Sequence, residues 1–301
     1  MSAPVGDAPR VLSHGAGPRT TTADVALQRR AVRREAVGGV LAAVGRGLVT
    51  FAITLAVVLV LWWGTIAVFD LNAYVAKGPV DVWRWLVSDP DAAANRASVA
   101  APLGVTLGHA FVGFVSGLVV ALVGAVVFRL SKGVESALMP VAMLLRSVPL
   151  IAMAPVIILV FGRDVTTVAV MGGVVVLFPA LVTITAGLES ASPQMADVVA
   201  VYGGSRWTVL RKVALPASAP SFFAAVRISV PGAITGALLA EWLATGDGVG
   251  AAIGAAITQV QFTFLWSCVV AVTAVSLVLY NLVQILENAV LAASGTGHGR
   301  S

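Results

Sequence analysis

Few residues in this chain are equipped for chemistry, and they lie far apart. The three histidines are His14, His109 and His298, and the one cysteine is Cys268. Zinc binding or a nucleophilic triad needs such groups at ligand or relay spacing, and no stretch of the sequence supplies it. His109 reads as a packed side chain with a backbone partner, and Cys268 as buried filler in an apolar run. A phosphate loop of the G-x-x-x-x-G-K-[S/T] type is missing from the sequence, so any ATP is handled by another chain. Gly248, Gly250 and Gly254 of "GDGVGAAIG" loosely echo a dinucleotide fingerprint, but they follow an apolar helix rather than a strand and read as a loop with flexible turns. That leaves Arg146, Arg227 and Glu241, three ionisable residues inside apolar runs. Each would cost about 2.5 to 3.5 kcal/mol facing lipid at a helix centre, so each should face protein or water, with Arg146 and Arg227 near enough the cytoplasmic ends to snorkel. Arg227 and Glu241 are 14 residues apart, about 21 Å along a helix, which excludes a pair between them. Glu241 needs another partner, and a subunit interface is one candidate.

The elements that position these residues are membrane spans. With 58% hydrophobic and 11% charged residues and a mean hydropathy of +0.96, the chain is an all-α integral membrane protein, far from the roughly 25% charged of soluble domains. Windows long enough for a hydrocarbon core of about 30 Å predict six spans, at residues 49–69, 105–128, 139–161, 165–187, 222–244 and 264–287. Six spans put both termini on one side. With that side inside, 13 Lys and Arg fall in inside segments and four, Lys77, Arg84, Arg96 and Arg163, fall outside. Translocating positive charge is disfavoured, so cytoplasmic termini are expected. Residues 1–45 form a cytoplasmic tail, disordered at first and then basic and amphipathic against anionic lipid, and residues 291–301 form a second tail. In the outer segment, "VDVWRWL" reads as a surface helix with interfacial tryptophans. Pro149 and Pro155 in the third span, Pro179 in the fourth and Pro231 in the fifth are expected to kink their helices. Gly104 with Gly108, Gly113 with Gly117, and Gly232 with Gly236 allow close helix approach.

One polar interruption stands out between the fourth and fifth spans. "YGGSRWTVLRKVALPASAP" carries Arg206, Arg211 and Lys212 within seven residues. Ser192 before Pro193 predicts a helix start and Gly203 a stop. Ser205 caps a second helix that Pro216 closes near Ala214. The result is a helix-turn-helix elbow. On its second arm Arg206, Leu210 and Val213 share one stripe while Trp207 and Arg211 share the next. An aromatic anchor with a charged rim suits a protein contact, and it suits equally a helix lying on lipid.

At these residues the chain resembles the permease subunits of binding-protein-dependent ABC importers. Their signature, E-A-A, three residues, Gly, nine residues, I-x-L-P, is matched in spacing by Asp197, Val198, Val199, Gly203, Val213, Leu215 and Pro216. Asp replaces Glu, Val-Val replaces Ala-Ala and Val replaces Ile. "LLRSVPLIAMAPVIILVFG", "LPASAPSFFAAVRISV" and "EWLATGDGVG" are similar to the sulfonate, nitrate and taurine branch, over about residues 80–290. The resemblance implies a type I importer permease fold and a homodimeric pathway. Two cytosolic ABC ATPase subunits would use ATP and Mg and grip the elbows, and an extracytoplasmic solute-binding protein would deliver a small anion. An aliphatic sulfonate or taurine is the leading solute, with nitrate, bicarbonate or a vitamin precursor as alternatives. This chain would bind no cofactor and no nucleic acid, and would be no enzyme. The elbow would be the coupling helix, with Arg206 and Trp207 in direct contact, Ser205 and Arg211 in the same coupling loop, and Asp197 holding the elbow or pairing with an ATPase arginine. Arg146, Pro149, Arg227 and Glu241 are candidates for the pathway or its gate. An ion-coupled secondary transporter working alone is the competing class.

Overall fold

A computed structural model describes Val49 and residues 51–293. The tail readings for residues 1–45 and for the last eight residues lie outside this range. The chain divides at Val68 into two units. The first contains helix α1 (Phe51–Val68), 18 residues of apolar helix with no buried face of its own. The second unit holds everything that follows.

The second unit is helical, with no strand among the described residues. A short helix α2 (Pro79–Trp83) runs on through a π-helical turn at Arg84–Ser88, where a surface helix was expected. Its inner side presents Trp85 edge-on to Phe264 at 6.1 Å, while Trp83 faces outward. α3 (Ala92–Leu130) follows, 39 residues long. At 1.5 Å per residue it extends about 58 Å, well beyond a hydrocarbon core of about 30 Å. α4 (Lys132–Ser147), α5 (Leu150–Phe161) and α6 (Val165–Glu189) come next.

The interval read as one third span is broken: α4 and α5 meet at 103°. Pro149 disfavours the α region for the residue before it, and Val148 sits at φ −75, ψ 123, out of the helix. At 12 residues α5 is about 18 Å long, too short to cross alone. Pro155, Pro179 and Pro231 lie inside continuous helices, so the break falls only where proline follows a helix end.

After α6 come α7 (Pro193–Val201) and α8 (Arg206–Val209), the latter continuing as a π-helical turn at Leu210–Ala214 and a single turn α9 (Leu215–Ala217). Then α10 (Ala219–Ala240) runs into a π-helical turn at Glu241–Thr245, followed by α11 (Gly248–Thr258) and α12 (Phe262–Ala293). α1, α3, α6, α10 with its extension, and α12 are each long and apolar enough to cross a membrane; the α4–α5 pair makes a sixth crossing if counted as one bent span.

The core is a three-helix crossing of α3, α6 and α10 built on missing side chains. A Cβ on Gly113 would lie 2.7 Å from the Gly172 Cα, and one on Gly236 would also lie 2.7 Å from it. In lipid, where hydrophobic burial no longer drives association, such backbone contact supplies the van der Waals attraction. Gly104 and Gly108, the other small-residue pair on α3, have nothing within 4 Å. Ala110, Val176, Val230, Ala233, Ile234, Ala237 and Val272 extend the core to α12.

Candidate functional site

The elbow is built by local signals. Pro193 occupies the first turn of α7, where a missing N–H costs no helical bond, while the Ser192 hydroxyl turns to Gln194 Oε1 at 2.7 Å rather than to the backbone. Gly203 takes φ +77, Gly204 N donates to Val199 O and Gly203 N to Ala200 O, both at 2.9 Å. This paired pattern is the Schellman stop, which places a left-handed residue one position past the cap. Gly204 is equally constrained, since a Cβ there would sit 2.4 Å from Val199 Cγ1. Ser205 then caps α8 by accepting from Thr208 N at 3.4 Å.

Pro216 does not close the second arm as expected. The chain stays helical through Leu215–Ala217, because the π-helical turn before it places Pro216 early in a new turn. Leu210, Val213 and Ala214 are buried, packed with Ala121, Ala125 and Phe128 of α3 and with Leu181, Ile184 and Leu188 of α6. The outer side carries Val198, Val201, Tyr202 and Trp207, with Tyr202 87% and Trp207 55% exposed. Arg211 and Lys212 are exposed beside them. Arg206 shares the Leu210–Val213 stripe but keeps its head outside, Nη1 reaching Leu130 O at 3.5 Å. Asp197 is exposed and forms no ion pair among the described residues, so it does not steady the elbow that way.

One tie at the elbow end went unread in the sequence. Lys132, first residue of α4, bonds Glu135 at 2.8 Å and also Glu189, the last residue of α6. The group is exposed, so the tie directs the chain more than it stabilises it.

At the opposite end lies a buried carboxylate. Glu241 is fully enclosed, and its partners are within this chain rather than across a subunit interface. Thr106 Oγ1 and Gly250 N each donate to Glu241 Oε2 at 2.9 Å, and His109 Nδ1 lies 3.0 Å from Oε1. Val249 N donates to Thr106 Oγ1 at 2.8 Å. His109 therefore has a side-chain partner in place of the backbone one expected. The glycines after Glu241 open a helix rather than a loop. Gly248, at φ +74, leaves room for the carboxyl, since a Cβ there would fall 2.2 Å from Glu241 Cδ. Gly250 allows α11 to approach the Leu238 carbonyl.

Arg227 is paired as well. Its Nη1 lies 3.1 Å from Glu287 Oε2 on α12, and its guanidinium lies 5.8 Å from the Tyr280 ring centroid. Removing one partner leaves the other charge half-buried and uncompensated. Arg227→Met or Glu287→Met alone is expected to cost about 1 to 3 kcal/mol, and the double replacement less than either. Thermal melts of the purified chain check this, and additive losses would contradict it. Arg146 lies in the last turn of α4, exposed and without an ion pair among the described residues, three positions before Pro149 at the break. The four residues read as pathway candidates thus fall in three separate places.

Residues 99–292 match the family described as binding-protein-dependent transport system inner membrane component. A probable ABC transporter permease protein of Haemophilus influenzae is 25% identical over 224 residues, covering 74% of this chain and 89% of that protein. The riboflavin transport system permease protein RibX of Chloroflexus aurantiacus is 27% identical over 188 residues, 61% of this chain and 67% of that protein. The taurine transport system permease protein TauC of Escherichia coli is 26% identical over 188 residues, covering 59% and 65%. Among solved structures, an inward-facing MetNI methionine ABC transporter aligns with a TM-score of 0.53 and 18% identity over 63% of this chain and 92% of that one.

Proposed function

The chain belongs to the family of binding-protein-dependent transport system inner membrane components, and from that premise we propose that two copies form the pathway of an ATP-driven importer for a small anionic solute. The fold is that of a type I ABC importer permease, and the chain is a transport component whose ATPase is a separate subunit. The elbow end faces the cytoplasm, with both termini, in a bacterial inner membrane. Two cytosolic ABC ATPases, which use ATP and Mg, receive the two elbows. An extracytoplasmic binding protein delivers solute at the Glu241 end.

The elbow carries this reading. Its inner face is fixed in the bundle by Leu210, Val213 and Ala214, while Val198, Val201, Tyr202 and Trp207 stand exposed beside Arg206 and Arg211. An element rigid at its root and apolar at its surface is suited to passing force from one protein to another. Co-expression with the candidate ATPase tests it: the ATPase should co-purify, and uptake into vesicles should require ATP. Gradient-driven uptake by the permease alone would overturn it.

Relatives named for taurine and aliphatic sulfonates support a sulfonate as the solute. Relatives named for riboflavin and formylaminopyrimidine support a second reading, a vitamin or vitamin precursor. Titrating the partner receptor with taurine, an alkanesulfonate and riboflavin separates the two, since permeases of this kind leave selection to the receptor.

A further inference from the structure

α3 reaches from the elbow to the buried carboxylate. Its one internal proline, Pro102, precedes Thr106, so the stretch from Thr106 to Leu130 is uninterrupted helix about 36 Å long. At the elbow end, Phe128 shares a core cluster with Leu188 of α6 and with Leu210 and Val213 of the elbow. At the other end, Thr106 and His109 hold Glu241 and with it the first turn of α11. Between the two ends, Gly113 and Gly117 lie against the backbone of Gly172 and Gly173. Val176 packs against Gly117 and Ser116 Oγ donates to Ala169 O at 2.9 Å, so α3 and α6 are pinned together along this stretch.

We propose that the paired helices α3 and α6 are the strut through which events at the α11 end reach the elbow, and that Glu241 is the positioning residue joining α11 to that strut. The inference rests on the assembly proposed above. One carboxylate oxygen accepts from both Thr106 Oγ1 and Gly250 N, and the Thr106 hydroxyl accepts from Val249 N. Two amides of the first turn of α11, which have no partner within their own helix, are thereby tied to α3 and to the turn after α10. The negative charge also complements the positive end of the α11 dipole. Pulling α11 from α3 would strip the buried Glu241 carboxyl of the Thr106 and Gly250 donors that satisfy it, which is costly. α11 then behaves as an extension of α3, and a receptor landing on that end pushes on the rod that the elbow grips.

The experiment uses the full complex of permease, ATPase and receptor in proteoliposomes, comparing the parent with Glu241→Ala, Glu241→Gln and Thr106→Val. Glutamine keeps a carbonyl oxygen for Thr106 and Gly250 and offers its amide to His109. Glu241→Ala should lower receptor-stimulated ATP hydrolysis about tenfold, within the range of allosteric couplings. Basal hydrolysis and ATPase co-purification should stay at parental level. Glu241→Gln should keep most of the stimulation, and Thr106→Val should fall between. Full stimulation in Glu241→Ala, or equal loss in the alanine and glutamine variants, would overturn the joint. Where Glu241→Ala does not assemble, Thr106→Val decides: selective loss of stimulation supports the joint, and unchanged stimulation refutes it. A parent complex that holds no ATPase would instead refute the proposed function itself, and the joint with it.

Discussion

Gly172→Leu is expected to prevent the bundle from assembling. A Cβ at this position would lie 2.8 Å from the Gly113 Cα, and the Cβ direction of Gly236 points back at the Gly172 Cα from the other side. What stands in the way is backbone, which cannot turn aside as a flexible side chain can, so α3, α6 and α10 must separate. The loss should exceed about 4 kcal/mol, in the tail reserved for core disruption. The control is Gly108→Leu, with nothing within 4 Å, which isolates the effect of replacing a helical glycine. Its melting temperature should stay near the parent's, while Gly172→Leu should run as aggregate on size exclusion. A Gly172→Leu protein melting within a few degrees of the parent would show that the crossing has slack the structure does not.

The second large effect is on coupling rather than folding. Arg206→Glu with Trp207→Ala is expected to reduce ATP-dependent uptake by about 30-fold or more, the equivalent of losing a hot-spot contact of about 2 kcal/mol. Both side chains are exposed and neither belongs to the buried elbow root, so the fold should be unchanged within about 0.5 kcal/mol. The reading is the amount of ATPase retained on the purified permease together with the initial uptake rate. Parental values for both would place the contact elsewhere on the elbow.

What the sequence revealed and what it hid divide by distance along the chain. Gly203, Ser205 and Pro193 act within a turn of themselves, so the stop, cap and start they encode are legible as letters. Long apolar windows are legible for the same reason. The proline rule was less decisive: Pro179 and Pro231 sit inside continuous helices while Pro149 breaks one. That outcome depends on whether the preceding residue already ends a helix. The partners of Glu241 lie 135 and 132 positions away at Thr106 and His109, and Glu189 lies 57 from Lys132. No local pattern encodes those meetings. Glycines read as loop formers were making space: Gly248 for a carboxyl group and Gly250 for a neighbouring helix. A charged residue in an apolar run followed closely by three glycines was the available signal, and it is a signal of room for a buried ion rather than of flexibility.

Where α3, α6 and α10 touch through Gly113, Gly172 and Gly236, backbone meets backbone with no side chain between to act as lubricant. Sliding domain motions depend on many small rotamer changes across a layer of side chains. At that crossing α3, α6 and α10 are held backbone to backbone, and a large swing is left to the outer elements. The 103° corner at Pro149 then serves as a knee in a chain whose thigh is locked.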